Sequence, residues 1–193
     1  MDAETIMRVI AEHVLDVTKG LDKKSVEDFI DEIKNACRVF VYGAGRSGMA
    51  ARAFAMRLVQ LGLTSYVVGE TVTPAINKDD LLVLVSGSGE TNVVLSIARA
   101  AKPIGVKIVT ITSYPNSSLG KISDLVIKIK GKEKGGIEKD HLKHQIEGIH
   151  SSLTPLGTLF EDTTLVFFDG VVGKLMVELN KDETEMRKRH ATI

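Results

Sequence analysis

The sequence predicts a single-domain α/β protein, a parallel sheet covered by helices on both faces. Three observations carry that reading. Short β-rich runs alternate with segments of helical spacing. The run Leu81 to Val85 is apolar throughout, as in a strand buried on both faces. Two glycine-rich loops each follow a strand and open a helix.

Ile6, Val9, Ile10, His13, Val14 and Val17 have helical spacing over residues 3 to 19, with Asp2 as cap. A second helix is expected from Ser25 to Ala36, where Ser25 and Asp28 have capping-box spacing. Residues 38 to 42 read as the first strand, followed by Gly43 to Gly48 and a helix closed by Gly62. Strands follow at 65–68, 81–85, 107–111 and 124–129, with a helix running from the Ser86 to Thr91 loop to Ala101. Residues 130 to 150 are polar and glycine-rich at their start, which predicts an exposed loop. Thr154-Pro155 reads as a cap and a first helical residue. The helix it opens, 155 to 179, is apolar on nearly every side in its second half, and a helix apolar all round must be buried all round. That predicts a subunit interface, in a dimer or tetramer. A charged helix, 182 to 189, ends the chain. Residues 1–36, 37–130 and 151–193 are thus N-terminal helices, core βα units and C-terminal helices of one domain.

Lys+Arg and Asp+Glu are 25 each, so no overall basic field exists to hold nucleic acid or an anionic membrane. An anionic ligand must be held by local geometry. The single Cys37 forms no internal disulfide, which suits a reducing cytosol. The first residues lack the pattern of a signal peptide, and no apolar stretch reaches the ~18 residues of a membrane span. A cytoplasmic protein is expected.

The loops carry the chemistry. In Gly43 to Gly48, glycine permits a tight turn and close approach to a ligand, and the N–H groups of the following helix suit phosphate. Gly45, Arg46 and Ser47 are its candidate ligands. The second loop, Ser86-Gly87-Ser88-Gly89-Glu90-Thr91, adds three hydroxyls to such a backbone nest. A tight turn needs glycine but not three hydroxyls. In an open sheet of order 2-1-3-4-5 the loops after strands 1 and 3 flank one crevice. Gly43-x-Gly45-x-x-Gly48, with Glu70 after the second strand, also fits a dinucleotide fingerprint. That alternative leaves the second loop unexplained and little chain for a substrate domain.

The second loop resembles the phosphosugar-binding signature of the sugar isomerase (SIS) domain family, and the resemblance covers nearly the whole chain. Val41-Tyr42-Gly43-Ala44-Gly45-Arg46-Ser47-Gly48, the segment Pro155 to Glu161 and the ending Arg189-His190-Ala191 are similar to the hexulose-phosphate isomerases of that family. The resemblance implies a three-layer, five-stranded flavodoxin-like sandwich, no cofactor, and a homo-oligomer. It implies interconversion of D-arabino-hex-3-ulose 6-phosphate and fructose 6-phosphate in the ribulose monophosphate route. Its metabolic companion would be the hexulose-phosphate synthase that consumes formaldehyde. The stretch 130 to 150 is longer than the family pattern leads one to expect.

Such a reaction passes through a 2,3-enediol, and a carboxylate suits the proton transfer between C2 and C3. No metal is required if the enediolate is hydrogen-bonded. Glu161 is the candidate, at the head of a stripe with Leu165, Phe168, Val172 and Leu179. The bland alternative is an acid favoured by its helix N-terminus. Asp162 is set about a hundred degrees away by helix geometry, and Glu90 reads as structural or substrate-orienting. Arg46 reads as a substrate ligand or a structural ion pair, and Ser47 as ligand or cap. His141, His144 and His150 read as solvated rather than as a metal site, and His13 as packed. In related isomerases a histidine from a neighbouring chain assists, which by resemblance assigns that role to His190. Other readings are an arabinose 5-phosphate or sedoheptulose 7-phosphate isomerase, and a phosphosugar sensor that regulates a partner.

Overall fold

The computed structural model describes residues 2–131 and 157–190. Helices α1 (Ala3–Lys19) and α2 (Lys23–Asn35) precede β1 (Val39–Gly43), α3 (Gly45–Leu61), β2 (Ser65–Val67) and β3 (Leu81–Val85). Then follow α4 (Asn92–Ala101), a 3-10 turn (Lys102–Ile104), β4 (Lys107–Thr112), α5 (Ser118–Ile122) and β5 (Leu125–Lys128). Helices α6 (Thr158–Glu178) and α7 (Glu183–Arg187) complete the described chain. The five strands are parallel in the order β2-β1-β3-β4-β5, as the resemblance implied.

Strand alternation divides the interior in two. Val39, Val41, Leu81, Val83, Val85, Val109 and Ile111 face a core completed by Phe29 and Ile33 of α2, Phe54 and Leu58 of α3, and Phe168 and Leu175 of α6. Phe40, Leu82, Leu84 and Ile108 face the other, with Val94, Leu95 and Ala98 of α4 and Leu119 of α5. All five residues of β3 are buried, which is why that strand has no polar alternation. No helix among the described residues is long and apolar enough to cross a membrane.

Three details differ from expectation. Helix α2 starts two residues early, because Asp22 rather than Ser25 caps it. The Asp22 carboxylate accepts from the Lys24 N–H at 3.3 Å and also accepts a hydrogen bond from the Ser25 hydroxyl. The short α5 was not expected; Ser117 caps it by accepting from the Gly120 N–H. In α6 only one side is buried within the chain. Leu165, Val166 and Val177 are exposed, so Leu165 leaves the stripe that Phe168 and Val172 continue into the core. The expected Thr154-Pro155 start of this helix and the histidines 141, 144 and 150 lie outside the described residues; within them, Gly157 is the N-cap position of α6.

Candidate active site

Strand register brings the two loops level. Gly43, the last residue of β1, pairs with Val85, the last residue of β3, so both loops leave the sheet side by side. The helices they open, α3 and α4, pack in different cores on opposite faces of the sheet. The crevice therefore opens at the β1/β3 switch point.

The first loop is closed by backbone against backbone. A Cβ on Gly48 would sit 2.4 Å from the Gly43 carbonyl oxygen, and one on Gly43 would sit 2.8 Å from the Ser47 carbonyl. Only glycine at both ends lets α3 start this tightly against the strand. Ser47 is buried at the start of that helix.

The second loop is ordered by its own hydroxyls. Ser86 Oγ lies 3.0 Å from Thr91 Oγ1 and accepts from the Gly89 N–H at 3.2 Å, while Ser88 Oγ accepts from the Glu90 N–H at 3.2 Å. Gly89 has φ +64°, and a side chain there would run into Ser117. Glu90 Oε1 accepts from the Ser118 N–H at 2.7 Å, so this acid pins the start of α5. That is the structural option foreseen for Glu90. The β4 side adds a second clamp, in which the Ser113 N–H donates to the Gly87 carbonyl at 3.1 Å.

A cavity of about 770 Å³ adjoins this loop, lined by Ser88, Glu90, Ser113, Tyr114, Asn116 and Lys128 among others. Sequence reasoning missed the 113–118 segment as a wall of the site. Its signal was present: Pro115-Asn116 is turn chemistry and Ser117 a helix cap, both directly after a strand.

Helix α6 ties the two loops together through consecutive residues. The Phe160 ring packs over Gly87, 3.0 Å from where a Cβ would begin. Next to it, Glu161 Oε2 accepts from Arg46 Nε at 2.6 Å. Asp162 Oδ1 accepts from Arg46 Nη2 at 2.7 Å. Asp162 does not point away from the site as helix geometry suggested, because a two-armed guanidinium reaches both neighbours. The Glu161 bond, then the Asp162 charge, raise the Arg46 pKa above the usual guanidinium value. The side chain of Glu161 is 16% exposed and that of Arg46 53%. Arg46 is thus in an ion pair, one of its two foreseen roles.

The remaining expected residues are placed elsewhere. His190 is exposed, and its N–H donates to the Arg187 carbonyl. Its neighbour Arg189 lies against Gly62, at the end of α3 opposite the first loop. A 17-residue helix is about 25 Å long, so His190 is not brought to the crevice of its own chain. His13 is half-buried, its Nε2 2.9 Å from the Lys130 carbonyl oxygen. Glu70 pairs with Arg52 at 2.9 Å. No group of three or more potential metal ligands occurs among the described residues.

Comparison with known proteins agrees with this architecture. The SIS domain family model matches residues 32–139. A 3-hexulose-6-phosphate isomerase of Methanocaldococcus jannaschii is 41% identical, over 89% of this chain and 85% of its own. One from Bacillus subtilis is 36% identical, over 90% of this chain and 89% of its own. A crystal structure from Methanococcus jannaschii, described as inferring 3-hexulose-6-phosphate isomerase function, superposes with a TM-score of 0.81. It is 37% identical and the match covers 97% of this chain and 98% of that one.

Proposed function

This chain belongs to the SIS domain family, and we propose that it interconverts D-arabino-hex-3-ulose 6-phosphate and fructose 6-phosphate. It is a phosphosugar isomerase by kinship; the particular sugar is the proposal. The carrying observation is that α6 sets Glu161 against the first loop while its neighbour Phe160 seats the second.

The phosphate sits in the Ser86 to Thr91 nest, where the Ser86, Ser88 and Thr91 hydroxyls and the Gly87 N–H surround it. Gly45, Arg46 and Ser47 face the sugar from the other side. Glu161 takes the proton from C2 of the hexulose as the C3 carbonyl becomes an enediolate oxygen, and returns it to C3 as O2 becomes the carbonyl. O2 must lose a proton and O3 gain one. An imidazole suits that exchange, and His190 supplies it from a neighbouring chain of a homo-oligomer. Hydrogen-bond donors rather than a metal hold the enediolate. The substrate arises by aldol addition of formaldehyde to ribulose 5-phosphate, the reaction of a hexulose-phosphate synthase in the same cytoplasmic route.

Turnover on a substrate panel tests the assignment. Hexulose 6-phosphate should give fructose 6-phosphate at undiminished rate with a chelator present, and much faster than arabinose 5-phosphate or sedoheptulose 7-phosphate react. A higher kcat/KM on either of those would reassign the substrate, and binding without turnover would make the chain a sensor.

A further inference from the structure

Consecutive residues of a helix diverge by about a hundred degrees, yet Glu161 and Asp162 both end on Arg46. The guanidinium makes this possible by presenting two donors on one edge. Nε meets Glu161 at 2.6 Å and Nη2 meets Asp162 at 2.7 Å. We propose that Asp162 is a positioning residue, which fixes Arg46 so that Arg46 in turn aims the Glu161 carboxylate into the crevice. The proposal rests on Glu161 being the base.

Geometry supports the division of labour. Arg46 is the second residue of α3, in the first loop, and more than half of its side chain is exposed. A long, solvated side chain held at one atom keeps much of its rotamer freedom. Held at two, across a fixed planar fork, it becomes a strut between α3 and α6. Glu161 is the more buried partner of the pair, with 16% of its side chain exposed. Its Oε1 lies 2.9 Å from where a Cβ on Gly157 would be, and Gly157 has φ +83°, so the carboxylate folds back over the start of its own helix. The Arg46 arm and the bare Gly157 together define where that carboxylate stands. Asp162, 37% exposed, touches only the outer arm and stays clear of this contact.

Charge also favours the arrangement. When Glu161 takes up a proton, Arg46 would lose its last counter-charge among the described residues if Asp162 were absent. With Asp162 in place the guanidinium remains paired through the proton transfer. Glu161 can then cycle between its two states without Arg46 swinging toward the substrate phosphate.

A double-mutant cycle on the full chain tests this. Asp162→Ala should lower kcat for hexulose 6-phosphate by about 10-fold or more, the scale on which a misplaced group slows a positioned reaction, with KM within about twofold. In the Glu161→Gln background the same change should cost nothing further, since residues acting as one unit are not additive. An unchanged kcat in Asp162→Ala overturns the proposal, and so does an equal loss in both backgrounds. If Asp162→Ala does not fold, Asp162→Leu, which keeps the size but removes both acceptor and charge, is read by the same criteria. Should Glu161→Gln alone prove fully active, the base assignment fails first, which separates the two failures.

Discussion

The Phe160 ring occupies the space that a side chain on Gly87 would need, with Cδ1 3.0 Å from the ideal Cβ position. The Ser86 to Thr91 loop is therefore seated by α6 as well as by its own hydrogen bonds. Gly87→Ala should overpack this contact and cost about 1–3 kcal/mol of stability, measured by denaturant unfolding. Phe160→Leu in the same chain should return part of that loss, because the two positions are in contact.

Ser88 makes one hydrogen bond within the loop, to the Glu90 N–H. Ser86 makes two, to Thr91 and Gly89. Ser88→Ala should therefore leave the fold intact while removing a hydroxyl from the phosphate. A bond to a charged group is worth about 1.5–3 kcal/mol, so KM should rise roughly 10- to 100-fold. Unchanged affinity for fructose 6-phosphate would remove Ser88 from the site.

Asp124 offers a test by pH. Burial pulls its carboxyl up, but hydrogen bonds from Lys102 and the Ile108 N–H, together with the Lys102 and Lys107 charges, outweigh it and hold the carboxyl below the ordinary aspartate value. A carboxyl depressed on folding stabilises the fold above its unfolded pKa, and the contribution is lost as pH falls through the folded value. Asp124→Asn should lower the melting temperature at neutral pH. It should also flatten the fall in melting temperature below about pH 4, near the unperturbed aspartate pKa. Parallel curves for the two proteins would refute the linkage.

The sheet was legible because buried strands and two glycine loops are strong local signals. Leu81 to Val85 and the Gly62 helix end were placed to the residue. What stayed hidden depended on partners distant in sequence. Helix α5 has five residues, too few to show a period, and is held by Ser117 and by Glu90 from another loop. Ser25 and Asp22 are both capping residues, and sequence alone does not show that Ser25 gives its hydroxyl to Asp22. The two loops were readable as the edges of one crevice, but the contact of Phe160 with Gly87 was not. Nor was the meeting of Glu161 with Asp162, since helical periodicity describes a helix and not the arginine that reaches it from elsewhere.

His190 lies at the far end of α3 from its own first loop, so any part it plays in the crevice must come from another chain. An inactive Glu161→Gln chain mixed with an inactive His190→Ala chain should recover part of the activity, because some crevices then hold both native groups. A fully active His190→Ala enzyme, or no recovery after verified mixing, would reject a shared site.

The central claim is that Glu161, set beside the first glycine loop by Arg46, moves the proton between C2 and C3. Steady-state turnover of hexulose 6-phosphate by Glu161→Gln tests it most directly. Glutamine keeps an oxygen for Arg46 Nε but cannot act as the base. The account predicts a kcat at least ~100-fold lower, with affinity for fructose 6-phosphate largely retained; a variant that turns over near the native rate would contradict it.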